Sequence, residues 1–400
     1  MIERKALSLF WEGFELHDFS EPSGDSVLLR LQPRAGRRPR CSGCGRPCSR
    51  VHDTTLRRVR ERDLFDRRVW LDVPVRRVWC ARCGVRVERI PWLAGRRALT
   101  QAMVGHVEAL VRLLPVRQVA MLLDLHWETV KAIDQQRLQR EVVEPDKRRL
   151  RRLIMDEFAL YKGHRYATVV ACADTRQVLW VGEGRSREAI RPFFAWLGEA
   201  CEQIEAVAMD MNTAMDLEVQ AHCPNAAVVY DLFHVVAKFG REVIDRVRVD
   251  QANRLRADKP ARKAIKQSRW LLLRNRDNLT DAQAVTLNDL LAVNQPLLTT
   301  YLLKEQLKAL WYAPSPHAAK RRWNQWFQMA MDSGLVPVIA FARKLEKYVH
   351  GIIASARYRL NTSVLEGMNN RIKVIKRMAY GYRDSEYFFL KIKAAFPGKS

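Results

Sequence analysis

Two Cys-x-x-Cys-Gly pairs constrain the N-terminal part of this chain more tightly than any other feature: Cys41-Ser-Gly-Cys44-Gly45 and Cys80-Ala-Arg-Cys83-Gly84. Two residues between thiolates let one turn present both sulfurs to one ion, and a glycine after each pair permits a tight backbone turn. Four thiolates close a tetrahedral site, so the metal expected is structural zinc. The 35 residues between the pairs suit a β-hairpin or ribbon. Such a small domain owes much of its folding free energy to the ion and should unfold without it. Cys48 and His52 lie nearby in sequence as substitute ligands, and four reduced structural cysteines are the plain alternative. Cys172, Cys201 and Cys223 are scattered, which argues against a disulfide framework.

The segment around these pairs is basic. Residues 30–97 hold 20 Arg and no Lys against six acidic residues, and the chain of 400 residues carries a net charge of +25. Arginine suits forked contacts to phosphate and to guanine edges. A charge of this size points to nucleic acid; a solvated basic surface or nonspecific RNA binding is the blander reading. Hydrophobic residues make up 48% and charged residues 28%, which fits a globular chain and excludes a disordered or fibrous one. The length allows about two to four domains. No apolar run approaches the roughly 20 residues that span a bilayer. The opening MIERKALSLFWEGFEL lacks the apolar core of a signal peptide, so a cytoplasmic protein without a membrane partner is expected.

The expected architecture is multidomain. Residues 1–97 would form a zinc-ribbon DNA-binding domain, with strand-like runs SVLLRLQPR and VWLDVPVRRVWC. Residues 98–148 would form a helix-turn-helix. In PVRQVAMLLDLHWETVKAIDQQ, Val119, Leu122 and Leu123 share one helix face, and Asp124-Leu125-His126 reads as a turn. Trp127-Glu128-Thr129 opens a second helix with Val130 and Ile133 inward. Such a pair of helices sets one helix into a major groove, with Thr129, Lys131 and Gln135 as outward, DNA-facing candidates; an ordinary helical hairpin is the alternative. Residues 149–238 alternate. RLIMDEF, RYATVVACAD and QVLWVGEG read as strands, SREAIRPFFAWLGEAC as a helix, and IEAVAMD and AAVVYDLF as two further buried strands with a helix between them, an order that suggests an α/β core. Residues 239–355 read as an all-helical insertion with Trp270, Trp311, Trp323 and Trp326 packed inside. Residues 356–400 return to the core with a helix and a basic tail.

Three carboxylates stand at informative places. Asp156 ends the apolar run RLIMDEF and Asp210 ends IEAVAMD; strand ends expose side chains to a cleft while the backbone stays rigid. Carboxylates held close together there favour a cation between them, although a turn or capping Asp needs no such role. Glu366 lies in NTSVLEGMNNRIKVIKRMAYG, where Leu365, Met368, Ile372 and Ile375 recur at helical spacing. Glu366, Asn369, Asn370, Lys373, Lys376 and Arg377 fill the other side, with the cations placed to bind phosphate. Ser363-x-x-Glu366 also matches a capping box, which needs no catalysis.

Nearly the whole chain resembles the ISL3-type insertion-sequence transposases of bacteria. The resemblance rests on CSGCG with VRRVWCARCG, the helix-turn-helix, MDEFALYKGHRYATVV, AMDMNTAM, VVYDLFHVV and SVLEGMNNRIKVIKRMAYGYRDSEYFFLKI. It implies a ribonuclease-H-like core interrupted by the helical insertion, and a DDE triad carried by Asp156, Asp210 and Glu366. Asp231 and His234, in DLFHV, match a family motif and are active-site neighbours by that likeness. Where the family often has Ser-Gly before its Glu, this chain has Thr362-Ser363-Val364-Leu365. The activity implied is cleavage at an element's ends and strand transfer to target DNA, with magnesium, or manganese in its place, as a two-ion site. The partners implied are double-stranded DNA of the terminal inverted repeats and the target, with a homodimer or higher assembly on DNA and a nucleoid-associated location. A non-catalytic DNA-binding regulator derived from a transposase is the rival from another class. A ribonuclease-H-like nuclease or junction resolvase is a third.

Overall fold

The computed structural model describes residues 10–161, 163, 165–360 and 363–399, apart from the side chains of Ser363 and Leu365. The chain forms two compact units that meet in sequence at Arg140 and Glu141. Among the described residues, no helix is long and apolar enough to cross a membrane.

The first unit holds β1 (Phe14–Ser23), β2 (Ser26–Pro33), β3 (Val51–Leu64), β4 (Arg67–Cys80) and β5 (Gly84–Val87) in one sheet, in the order β1-β2-β4-β3 with β5 also on β4. β2 and β4 run parallel, and the other pairs are antiparallel. In β4, Val69, Leu71, Val73 and Val75 alternate into a core with Trp11, Phe14 and Val59. That period of two is what one buried sheet face requires. Three helices follow: α1 (Gln101–Leu110), α2 (Val116–Leu122) and α3 (Trp127–Glu141). Met103, Val107, Val119, Leu123, Val130 and Ile133 form their core. Asp124 takes a left-handed φ of 51° and closes α2, with Leu125 N–H donating to the Ala120 carbonyl at 2.9 Å. Leu122 departs from expectation and is exposed. It lies about 100° round the helix from Leu123, outside the buried arc. Thr129, Lys131 and Gln135 are half-buried instead of outward, because they flank the stripe of Val130, Ile133, Asp134, Arg137 and Leu138.

The second unit begins in the expected order: β6 (Arg152–Tyr161), β7 (Arg165–Cys172), β8 (Val178–Glu183), α4 (Arg187–Leu197), β9 (Ala206–Met209), α5 (Thr213–His222) and β10 (Ala227–Tyr230). The sheet runs β10-β9-β6-β7-β8; β10, β9 and β6 are mutually parallel, and β7 and β8 continue antiparallel. Alternate residues of β6 divide between two cores. Leu153 and Met155 join α4, α5 and the helical segment, while Ile154 and Phe158 face Met368, Ile372, Phe388 and Ile392.

After α6 (Leu232–Phe239) the chain is helical: α7 (Asp245–Arg254), α8 (Lys259–Gln267), α9 (Arg269–Leu273), α10 (Asp281–Val293), α11 (Gln295–Ala309), α12 (Pro316–Asp332), α13 (Val336–Glu346) and α14 (Val349–Tyr358). α15 (Ser363–Met378) and α16 (Ser385–Ala395) return to the sheet. Trp323 and Trp326 are buried, and Trp311 packs partly on the same core. Trp270 is the exception at 64% exposure. The short α9 turns Leu272 inward, which leaves Trp270, two residues away, on the opposite side under Arg269 at 5.1 Å. Gly351 of α14 meets the Tyr230 ring so closely that a Cβ there would stand 2.4 Å from it. Tyr230 in turn donates to Asp216 at 2.6 Å and accepts at its carbonyl from Trp311 Nε1 at 2.9 Å, so the helical segment grips the end of β10.

Candidate active site and metal centres

The sheet's register builds the first site. Ile154 pairs with Ala208 and Met209 with Tyr230 across parallel strands. Two residues further on β6, and one further past β9 and β10, Asp156, Asp210 and Asp231 fall on one row. Neighbouring strands lie about 4.8 Å apart, and level residues of parallel strands point to the same face. Asp156 is not at a strand end as expected. β6 runs on to Tyr161 along β7, and only its pairing with β9 stops at Ile154. Asp210 and Asp231 do follow their strands directly.

A cleft of about 810 Å³ opens over this row. Asp156, Asp210, Asp231, His234 and Glu366 all line it, with Asn369 and Lys373. Asp231 caps α6 by accepting from Phe233 N–H at 2.9 Å. One helical turn on, His234 Nδ1 meets Asp210 at 2.9 Å, and its Nε2 stands 4.0 Å from Asp231. Asn369 of α15 donates to Asp156, whose other oxygen accepts from Glu157 N–H at 2.7 Å. Asn212 caps α5 and donates to Glu157, which Arg185 also meets at 3.2 Å. Glu366 is exposed in the first turn of α15. Met368, Ile372 and Ile375 make the apolar face expected of that helix. Leu365 and the capping-box alternative at Ser363, as well as Thr362, lie outside the described residues.

Burial and neighbouring charge perturb two of these carboxyls. Burial, and then the charge of Asp210, push Asp156 up to about 6. Burial also raises Asp231, with Asp210 and Glu366 adding to it, and the bond to Asp210 raises His234. Ligand atoms of Asp210, Asp231 and His234 lie within 4.8 Å of one another. The Asn369 Oδ1 is buried without a hydrogen-bond partner among the described residues. Carboxylates crowded enough to raise Asp156 and Asp231, beside an unsatisfied oxygen, fit a hard divalent cation. Asn369 and Asn212 were not singled out as partners of the acids from sequence. Asn369, three residues after Glu366, was placed on the same helix face by its spacing, but its bond to Asp156 was not foreseen.

The second centre lies in the first unit. The sulfurs of Cys41, Cys44, Cys80 and Cys83 all lie within 4.8 Å of one another. Gly45 and Gly84 take left-handed φ of 71° and 69°, as the turns after each pair require. The β3–β4 hairpin spans the stretch between the pairs. N–H groups of Arg82 and Cys83 pull Cys80 down to about 6, which favours its thiolate. Cys48 is buried beside the four but aims its thiol at the Arg46 carbonyl, 3.7 Å away. His52 pairs with Asp53 and packs on Trp79. The geometry therefore brings together the four expected cysteines and neither substitute.

Of the remaining candidates, Lys373 lines the cleft, and Lys376 and Arg377 line a groove beside it. Thr129 lines a separate cleft of the first unit with Arg60 and Arg97.

Comparison with known proteins shows the family. A family profile described as transposase, of ISL3-type DDE enzymes, matches residues 153–392. The transposase for insertion sequence element IS1001 of Bordetella parapertussis is 53% identical over 100% of both chains. The transposase for insertion sequence element IS1557 of Mycobacterium tuberculosis is 27% identical over 94% of this chain and 89% of its own. A profile over more than half the chain and an end-to-end relative leave one assignment: the chain belongs to the ISL3-type family of DDE transposases.

Proposed function

We propose that this DNA transposase binds the terminal inverted repeats of an insertion sequence, cleaves DNA at the element's ends and joins those ends to target DNA. Asp156, Asp210 and Glu366 are its metal-holding triad. What carries the reading is that these residues, remote in sequence, all line one cleft, Asp156 and Asp210 level with each other across the parallel strands and Glu366 on α15. The antiparallel β6-β7-β8 continued by parallel β9 and β10 supports a ribonuclease-H-like core.

Magnesium suits an oxygen-rich set, with manganese as its substitute. A bound pair would activate the attacking oxygen and stabilise the leaving oxygen of an in-line displacement at phosphorus. Asp231 adds a carboxylate on the same row, and Asn369 fixes the orientation of Asp156. His234 holds its proton against Asp210. Lys373, Lys376 and Arg377 bind phosphates of the strand at and beyond the cleft.

In the first unit, a structural zinc on Cys41, Cys44, Cys80 and Cys83 holds the ribbon, and Thr129, Lys131 and Gln135 contact the repeats along the flank of α3. Pairing two ends calls for a homodimer or higher assembly on the DNA. A nucleoid-associated place in a bacterial cytoplasm follows from that role.

The test is incubation of the purified protein with end-bearing DNA and magnesium. Strand-transfer products are expected, and neither chelated reactions nor scrambled ends should give them. End binding with no transfer would leave the regulator reading. Cleavage of branched DNA regardless of sequence would favour a resolvase.

A further inference from the structure

We propose that Tyr380 is a stacking platform for an unpaired nucleobase of the DNA strand that leaves the carboxylate cleft along α15; this rests on the transposase reading above. The helix ends in a defined stop. Gly381 N–H donates to the Lys376 carbonyl at 2.9 Å, and Tyr380 N–H donates to Arg377 at 3.0 Å. In such a stop the residue at Tyr380's place is left-handed and usually glycine. Here it is a tyrosine, at φ 55°. A bulky residue in that region is disfavoured by its own Cβ, and such positions cluster at functional sites.

Packing does not account for the ring. Tyr380 is 91% exposed. Among the described residues, its ring has no aromatic contact and its hydroxyl no hydrogen-bond partner. Two residues on, Tyr382 shows the contrast: it stacks on Phe388 at 4.5 Å, and its carbonyl accepts from Tyr161 at 2.7 Å. That bond ties the turn to the strand that bears Asp156. Tyr382 thus serves the fold, and Tyr380 stands exposed beside it.

Tyr380 borders a groove of about 480 Å³, which Phe158, Ala159, Lys373, Lys376 and Arg377 also line. Lys373 lines the catalytic cleft as well, so groove and cleft adjoin. No carboxylate lines the groove, and Lys376 is held across it by the Ala159 carbonyl at 3.0 Å. Three cations match a phosphate backbone; an exposed aromatic face matches a base. A base still stacked in a duplex offers no free face, so the strand must be unpaired where it meets Tyr380. Ala159 is three residues along β6 from Asp156, about 10 Å. Lys376 bonds to Ala159, and Tyr380 lies one turn further, just past the end of α15, so the platform serves the strand beyond that distance from the reacting phosphate.

The experiment uses the full-length protein in calcium, with labelled element ends that are blunt, that carry an unpaired tail of about five nucleotides, or that carry an abasic tail of the same length. Tyr380→Ala and Tyr380→Gly should weaken binding of the tailed end by about 5- to 150-fold, and Tyr380→Phe should hold it within about twofold of the wild type. Blunt and abasic-tailed ends should bind all the variants alike. Tyr380→Gly suits the left-handed backbone, so its melting temperature should not fall, which separates grip from folding. Wild-type affinity of Tyr380→Ala for the tailed end would overturn the proposal, as would an equal loss on blunt and abasic-tailed ends. In parallel, a wild type that transfers end DNA in magnesium while Tyr380→Ala grips the tail normally sinks this inference alone. A wild type that transfers nothing sinks the transposase reading with it.

Discussion

Asp156 holds a charge that the metal-free protein resists. Its carboxyl sits at about 6 against 3.8 for an unperturbed group, first through burial and then through Asp210. A carboxyl raised on folding gives stability that is fully present below pH 3.8 and lost as pH rises through 6. Asp156→Asn should therefore stabilise the chelated protein at pH 8, on the order of 2 kcal/mol after allowing for partial exposure, and the gain should vanish near pH 4. Thermal melts of both proteins in chelator at the two pH values check this; a wild type that melts later at pH 8 contradicts it. Asp156 and Asp210 were legible in sequence because each follows an apolar run, whereas Glu366 and Asp231 were picked out by the family resemblance. The alignment of the three aspartates was not legible, since it comes from the parallel register of β6, β9 and β10. Asn369 shows the same limit: its place on the helix was readable, but its bond to Asp156 depends on how α15 lies on the sheet.

Among the elements, the cysteine cluster was the most legible, because Cys-x-x-Cys-Gly fixes ligand type, turn and spacing together. Cys41→Ser should lose zinc and end binding together, read as metal content of the purified variant and as a gel shift; unchanged zinc content would refute the site. Cys48→Ser should keep its zinc, as its thiol points to the Arg46 carbonyl. Strands β1 and β3 were not legible. VHDTTLRRVRERDL is half charged and mostly exposed, and it is a strand because β4 beside it supplies the buried valines. Leu122 and Trp270 failed for a related reason: short helices bury a narrow arc, and composition does not say which large residue falls outside it. The joint between α14 and β10 gives a packing test. Gly351→Val should drive a side chain into the Tyr230 ring and destabilise the fold by about 1–3 kcal/mol, measured by denaturant unfolding. Unchanged stability would mean that the ring has room to move.

Across the whole molecule, the net charge of +25 was the plainest signal of a polyanionic partner. If about six to ten phosphates are neutralised on binding, affinity for element ends should fall about 10³- to 10⁵-fold between 50 and 200 mM salt. A flat salt response, measured by fluorescence anisotropy, would count against a phosphate-based grip. The measurement that tests the central claim most directly is strand transfer by Asp156→Asn, Asp210→Asn and Glu366→Gln, with end binding followed in the same samples. Each variant should bind ends nearly as the wild type does and lose transfer by about 10³-fold or more, the several kcal/mol that metal-assisted displacement supplies. Near-normal transfer by any one of the three would remove that residue from the metal-holding set and contradict the account.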